Sequence, residues 1–553
     1  MSYRNLVELH RVQAERLGPR PAIRHKVHGL YRDLSWHDYF TAARCCAAAL
    51  IEVGIKPGDR VGLLAENRLE WLIADMGLMA AGAVNVPPHA PLTAAQIQYQ
   101  LADAGVRWLF VSTAEQLAKV QQIRHDLPDL QGVVVFDAHA AGAEARSWRG
   151  FLHRGRQQLR QLITELERRE AALDGDSLAT IMYTSGTTGQ PKGVMLTHDN
   201  LLSNAVGTLN ASHWNPNALQ LNWLPLSHIY ARTVDHYLSI AGGHTLALAE
   251  NADTLVLNLK ETQPTNFNSV PRFYEKVLNA VSTDDPAQLG RRLRGIFGAR
   301  IDFLNSGGAP LPLAVAEAFH RAGLLLLQGY GLTESSPVIT FNRKDHYKLG
   351  TVGQAIPGVE VAIAPDGEVL TRGPHVMKGY WNNPQATAEA IRDGWLYTGD
   401  LGQLDAEGFL TITGRKKELL VLSNGKKVVP NHIEGLLLAD ECVDQVMVCG
   451  EGRNFLTALI VPHWDNLRRV LDQPLHQQPP ETLAQHPQVY EVLQARLNRA
   501  LRDVAPWEQV KKFLILPHPF SVAAEELTVS LKLRRNVVLE HYGARLEELY
   551  REG

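Results

Sequence analysis

One segment of the chain concentrates the residue types that hold anions: Ile181-Met-Tyr-Thr-Ser-Gly-Thr-Thr-Gly-Gln-Pro-Lys-Gly-Val-Met195. An apolar, β-rich run enters a stretch of hydroxyls and glycines that contains one lysine, then leaves into a second apolar run. Glycines let backbone N–H groups face an anion, hydroxyls add donors, and lysine supplies a point charge; the chemistry is that of a phosphate-holding loop. From Gly186 the order is G-x-x-G-x-x-K, which differs from the common P-loop order G-x-x-x-x-G-K-[ST]. The candidate ligands to phosphate are Thr184, Ser185, Gly186, Thr187, Thr188, Gly189 and Lys192.

This loop resembles the signature of the adenylate-forming enzymes, which include acyl-CoA synthetases, adenylation domains of peptide synthetases and luciferases. Further segments match in the family's order. Asn305-Ser-Gly-Gly-Ala-Pro310 resembles the adenine-contacting turn, which assigns Gly307, Gly308 and Ala309 to the nucleotide. Gly329-Tyr-Gly-Leu-Thr-Glu334 resembles the second nucleotide motif, with Gly329, Tyr330 and Gly331 as binding residues. Trp395-Leu-Tyr-Thr-Gly-Asp400 and Gly414-Arg415 resemble the ribose-binding motifs, and Leu531-Lys532-Leu533 falls where the family places its late catalytic lysine.

The roles that the resemblance implies are physically coherent. Forming an acyl adenylate brings a carboxylate to the α-phosphate of ATP, so the site must neutralise charge and hold the reactants in line. Glu334, with Thr184, is expected to hold Mg²⁺, a hard cation that takes oxygen ligands. Thr333 can donate to the α-phosphate. Asp400 offers two acceptors to the ribose hydroxyls, and Arg415 offers donors near the same sugar. Lys532 could bridge carboxylate and α-phosphate as charge shifts to leaving pyrophosphate.

In this family a small C-terminal domain turns about a hinge, which places residues 414–417 at the pivot. One orientation brings Lys532 to the site; the other brings Ser423-Asn-Gly-Lys-Lys-Val428, with Gly425 beside the pantetheine arm of CoA. Leu224-Pro-Leu-Ser-His-Ile-Tyr230, Val270-Pro-Arg-Phe-Tyr-Glu275 and Glu526-Leu-Thr-Val-Ser-Leu-Lys532 are most similar to the long-chain fatty acyl-CoA synthetases. His228 becomes a gate or lining residue of the acyl tunnel, or else a hydrogen-bonded His at a turn. Two sites depart from that branch: Val529-Ser530 replaces its usual Pro-Thr, and Ala231 stands where an acidic residue commonly follows His-Ile-Tyr.

These segments need elements to position them. Trp36 to Val53 reads as a helix ending near Gly54, Arg60 to Ala65 as a buried strand and Trp71 to Ala81 as an apolar helix. Trp108 to Ser112 and Gly132 to Phe136 are further short strands. Strands alternating with helices predict a mostly parallel sheet covered on both faces. Gly155 to Glu170, rich in Arg, Gln and Glu, reads as a solvated helix and connector. Past Gly350, short strands (Glu360–Ala364, Gly367–Thr371, Gly408–Thr413) between Gly, Pro and Asp turns predict a small antiparallel subdomain. Pro462 to Pro487 reads as a surface excursion, and Val489, Val492, Leu493, Leu497, Leu501 and Val504 as the core stripe of a helix. The expected fold is α/β: a large composite N-terminal domain over residues 1–413 (two α/β subdomains and a small β subdomain), the hinge, and a smaller mobile α+β domain over 418–553.

Composition agrees with a large buried core: 553 residues, 45% hydrophobic and 20% charged. A net charge of −3, from 55 basic and 58 acidic side chains, points to no nucleic-acid partner. Four cysteines form no disulfide framework or zinc spacing and read as buried, reduced thiols. With no signal peptide or bilayer-spanning run in the sequence, a cytoplasmic monomer or homodimer is expected. Arg291-Arg-Leu-Arg294 could touch a membrane surface, although a solvated charged face is the simpler reading. The expected activity is ATP-dependent ligation of a fatty acid, presumed long-chain, to CoA through an acyl adenylate. Two alternatives remain open: a ligase that loads a carrier protein, and a silent sensor of nucleotide or acyl adenylate.

Overall fold

The computed structural model describes residues 3–142, 145–184, 190–212, 214–215, 217–281, 283–528 and 533–551. Two large sheets dominate its N-terminal part. The first runs, in spatial order, Gly379–Tyr380, Lys192–Thr197, Leu178–Thr184, Val84–Val86, Arg60–Leu64, Trp108–Val111, Gly132–Val135, Arg146–Ser147. It is parallel from Leu178–Thr184 onward, and antiparallel at the Lys192–Thr197 end. The second is parallel from Leu326–Gly331 through Phe303–Ser306, Asn266–Ser269, Leu219–Asn222 and Thr245–Leu248 to Pro21–Val27, with antiparallel strands at both edges. The shared core between them draws on helices Leu6–Leu17, Trp36–Glu52 and Leu69–Ala80, with Trp36, Tyr39, Trp71 and Tyr237 almost wholly buried. Ser35 caps Trp36–Glu52 by accepting from the Asp38 N–H at 3.0 Å, which is why the pattern starts abruptly at Trp36.

The charged stretch after Gly155 is less solvated than its composition suggests. It belongs to one helix, Trp148–Ala172, whose Trp148, Phe151, Gly155, Leu166 and Arg169 are buried. Arg169 is tolerated there because its guanidinium donates to the carbonyls of Ile55 (2.8 Å) and Ala81 (3.1 Å). Gly155 lets this helix approach Trp36–Glu52 so closely that a Cβ would overlap the carbonyl oxygen of Cys45. Gly155→Ala is therefore expected to destabilise the N-terminal domain by about 1–3 kcal/mol, read as a lowered urea midpoint. An unchanged midpoint would mean that the two helices separate without cost.

The antiparallel subdomain forms as expected, from Glu360–Ile363, Glu368–Arg372, Ile391–Arg392, Trp395–Leu404 and Leu410–Arg415. The C-terminal part has its own core around Val443–Cys449, Leu456–Pro462 and Val510–Ile515, and the closing helix Arg535–Arg551 packs through Val538 and Leu546. Residues 462–487 are more anchored than a surface excursion: Leu467, Leu471 and Leu483 enter that core. In the helix Pro487–Ala500, Val489, Leu493 and Leu497 are buried, as is Leu501 just beyond it, while Val492 and Val504 are only partly so. The two parts touch through Arg272 with Asp444 and through Gln96 Nε2 to Glu525 Oε1 at 3.0 Å. All four cysteines are buried free thiols. Among the described residues no helix is long and apolar enough to cross a membrane.

Candidate active site

Both large sheets, the antiparallel subdomain and the C-terminal part meet at a cleft of about 2500 Å³. Strand ends aim the motifs into it. Leu178–Thr184 and Lys192–Thr197 pair antiparallel with Thr184 opposite Lys192, so the two residues flank the mouth of the hydroxyl-rich loop. Ser185, Gly186, Thr187, Thr188 and Gly189 lie outside the described residues. Both flanking residues line the cleft.

The adenine-type turn follows directly from the strand Phe303–Ser306. Gly307 donates to the Ser269 carbonyl at 3.1 Å, and a Cβ on it would meet the Tyr230 ring at 2.9 Å. Gly308 sits at φ +80°, a conformation that favours glycine. Gly307 and Gly308 line the cleft; Ala309 is exposed beside it and does not.

Gly329, Tyr330 and Gly331 end the strand Leu326–Gly331, and the short 3₁₀ turn Thr333–Ser335 carries Thr333 and Glu334 to the cleft wall. Gly331 has no room for a side chain, since a Cβ would overlap the Pro337 carbonyl. Glu334 Oε1 accepts from the Tyr380 hydroxyl at 2.9 Å, and Lys192 Nζ stands 4.9 Å from the centre of the same ring. Tyr380 thereby joins the loop lysine to the candidate metal carboxylate, and burial beside Glu334 raises its phenol far above the usual range.

Asp400 and Arg415 are cross-strand partners in the antiparallel subdomain. Asp400 is only 7% exposed. Its Oδ1 accepts from Arg415 Nε at 2.9 Å and its Oδ2 from the Tyr330 hydroxyl at 2.7 Å. The pair links the second nucleotide motif to both ribose-type motifs. Arg415 lines the cleft, as do Thr398 and Gly399 on the Asp400 strand.

His228 lines the cleft and caps the short helix that follows, its Nδ1 accepting from the Tyr230 N–H at 3.1 Å. Its ring stacks on His89 at 6.2 Å between centroids. No sequence motif singles out His89, which pairs with Ser227 Oγ at 2.7 Å and is pushed down to about 4 by burial, hence neutral at pH 7. The same holds for Tyr380. Neither carries a local signature; each acquires its role only when separate sheets meet.

Lys532 lies outside the described residues, but Thr528 and Leu533 on either side of its segment line the cleft. An antiparallel bridge between Leu527 and Leu533 pins the ends of that segment together. Gly425 sits at φ +77° in the turn between Leu420–Val421 and Lys427–Val428, away from the cleft lining. Between these regions, Lys416 bonds Asp366 (2.6 Å) and Glu368 (2.9 Å).

Comparison with known proteins places this geometry. Residues 10–381 match the model of an AMP-binding enzyme, and residues 417–553 match an AMP-binding enzyme C-terminal domain. The long-chain-fatty-acid–CoA ligase FadD15 of Mycobacterium tuberculosis (strain ATCC 25618 / H37Rv) is 33% identical, over 95% of this chain and 93% of that one. The human long-chain-fatty-acid–CoA ligase ACSBG2 is 29% identical, over 98% and 92%. Among solved structures, the anthranilate CoA ligase AuaEII in complex with anthranoyl-AMP superposes with a TM-score of 0.79 at 21% identity, covering 99% of this chain and 98% of that one.

Proposed function

The chain belongs to the AMP-binding enzyme family, and we propose that it is a fatty acid–CoA ligase acting on long-chain acids. The observation that carries this reading is the convergence of the separate nucleotide motifs on one cleft that the C-terminal segment also lines. In the first step a carboxylate oxygen attacks the α-phosphate of ATP, the bond to the β-phosphate oxygen breaks, and pyrophosphate leaves. In the second the CoA thiol, losing its proton, attacks the acyl carbon and AMP departs. Neither step needs an enzyme nucleophile, so catalysis lies in positioning and charge.

Asp400 and Arg415 would hold the ribose, Gly307 and Gly308 would let adenine lie against the turn, and Thr333 and Lys192 would donate to phosphate oxygens. The donor set suits magnesium. Among the described residues only Oε1 of Glu334 is engaged, by Tyr380, and no group of three His, Cys, Asp or Glu could form a separate cage. Glu334, with Thr184 close to Lys192, would hold the ion together with phosphate oxygens, where it would neutralise charge on the triphosphate. Residues 414–417 would serve as the pivot between a domain of residues 1–413 and one of 418–553. An arrangement with Leu527 and Leu533 at the cleft and Gly425 outside its lining suits the first step. Rotation would then exchange the Lys532 segment for the Gly425 turn and admit the pantetheine arm. ATP and CoA are both substrates of the cytoplasm, which is where we place the activity.

ATP–pyrophosphate exchange with acids from acetate to long-chain and aryl acids tests this reading. The expected result is a maximum at long-chain acids, with AMP and an acyl-CoA formed once CoA is added. A response centred on acetate or on aryl acids would overturn the substrate class. Transfer to an acyl-carrier protein but not to CoA would overturn the acceptor.

A further inference from the structure

One helix of the N-terminal part touches both flanks of the hydroxyl-rich loop and the segment that carries Lys532. It is Ala94–Asp103, held down by Ile97 and Leu101, which are almost wholly buried with Val84, Val86 and Ile181. Gln96, Tyr99 and Asp103, spaced three and four apart, share the face that lines the cleft. Two of them grip the loop where it begins and ends. The Asp103 carboxylate accepts from the hydroxyl of Tyr183, one residue before Thr184, at 2.5 Å. The Tyr99 hydroxyl donates to the carbonyl of Pro191, one residue before Lys192, at 3.1 Å. The Tyr99 and Tyr183 rings meet edge-on, 6.2 Å between centroids.

The third residue, Gln96, reaches the C-terminal part. Thr93 caps the helix, and Gln96 completes a capping box: its Oε1 accepts from the Thr93 N–H at 3.0 Å, while Thr93 Oγ1 accepts from the Gln96 N–H at 3.4 Å. With its oxygen committed to the cap, the amide turns its NH₂ outward, and Nε2 donates to Glu525 Oε1 at 3.0 Å. Glu525 has φ +58°, in the left-handed region that residues other than glycine seldom adopt. It is held there from its other side by Arg534, whose guanidinium donates to Glu525 Oε2 (3.3 Å) and to the Glu525 carbonyl (3.2 Å). Glu525 and Arg534 stand just outside the Leu527–Leu533 bridge, one at each end of the segment that carries Lys532. Glutamate at position 96 would close the same capping box, but only an amide can close it and also donate to a carboxylate.

We propose that Gln96 is a positioning residue for adenylate formation: it docks the base of the Lys532 segment on the helix that holds the phosphate loop. The inference rests on the two-step reading above. Glu525 belongs to the part that turns about residues 414–417 in that reading, so the Gln96–Glu525 bond favours one orientation only. It contributes to the first half-reaction and not to the second.

The test measures pyrophosphate exchange, and acyl-CoA formation from synthetic acyl-AMP, for Gln96→Glu and for Gln96→Glu combined with Glu525→Gln. Gln96→Glu keeps the capping box but sets two carboxylates face to face. It is expected to slow exchange about ten-fold, with thioester formation at or above the wild-type rate. Adding Glu525→Gln reverses the bond: the amide at 525 donates to the carboxylate at 96, and its oxygen still accepts from Arg534. Exchange by the double variant is expected to return to within about three-fold of the unchanged protein. A role confined to the start of the helix would not respond to a change at position 525. The inference is overturned if Gln96→Glu exchanges at the wild-type rate, if Glu525→Gln fails to restore it, or if both half-reactions fall together. In each of those cases exchange by the unchanged protein still upholds the ligase reading, whereas no exchange with any acid overturns both.

Discussion

Lys532→Ala is expected to slow acyl-adenylate formation by on the order of 10²–10³-fold, while thioester formation from supplied acyl-AMP stays near the wild-type rate. The asymmetry follows from charge. In the first step two anions must meet, and two unit charges 4 Å apart repel by about 4 kcal/mol even at an effective dielectric of about 20. An ammonium shared between them removes much of that repulsion and follows the charge towards pyrophosphate. In the second step a thiol attacks the acyl carbonyl of a mixed anhydride and AMP leaves, and no such pair of anions has to be brought together. The described residues on either side of Lys532 are tied to one another. The Leu527–Leu533 bridge closes its ends, and the Arg534 N–H donates to the Glu526 carbonyl at 2.8 Å. The Glu526 carboxylate, itself buried, accepts from the Ser521 N–H at 3.1 Å. Pyrophosphate exchange measures the first half-reaction, and acyl-CoA formed from synthetic acyl-AMP measures the second. Equal loss of both would show that Lys532 supports the fold or both orientations, and would sink the assignment of a single-step role.

What the sequence made legible and what it did not divides along physical lines. The glycine- and carboxylate-bearing turns were readable as distinctive because their demands are short-range: a positive φ at Gly308, no room for a Cβ at Gly331, an acidic partner opposite Arg415. The alternation of strands and helices was readable for the same local reason. Tyr380 was not, because its meaning depends on standing between Lys192 and Glu334, which come from different strands and turns. Gln96 is a stronger case. Its capping partner Thr93 is three residues away, yet nothing local says that its NH₂ meets Glu525, 429 residues further along the chain. The helix Trp148–Ala172 was legible as a solvated helix, but not the packing of its inner face, which a few small or apolar residues and one well-paired arginine decide.

The ribose assignment leads to the second large effect. Asp400→Ala is expected to weaken ATP binding by on the order of 100-fold. Each Asp400 oxygen already accepts one bond, from Arg415 or from Tyr330, and a carboxylate oxygen has capacity for a second. A ribose diol can thus be received without displacing either brace. Alanine removes both acceptors and leaves the half-buried Arg415 guanidinium without its carboxylate. Two lost charge-assisted bonds at about 1.5 kcal/mol each account for the 100-fold figure. Asp400→Asn separates the contributions. Its amide oxygen can still accept from Arg415 and its NH₂ can donate to the Tyr330 hydroxyl, so both braces persist. One of the two edges offered to the sugar then changes from acceptor to donor, and a loss of roughly ten-fold is expected, about that of a single hydrogen bond. Calorimetric titration with ATP gives both affinities, and circular dichroism reports whether the subdomain still folds. If Asp400→Ala binds ATP as tightly as the unchanged protein, the carboxylate is only a structural link between Tyr330 and Arg415, and the sugar must be held elsewhere in the cleft.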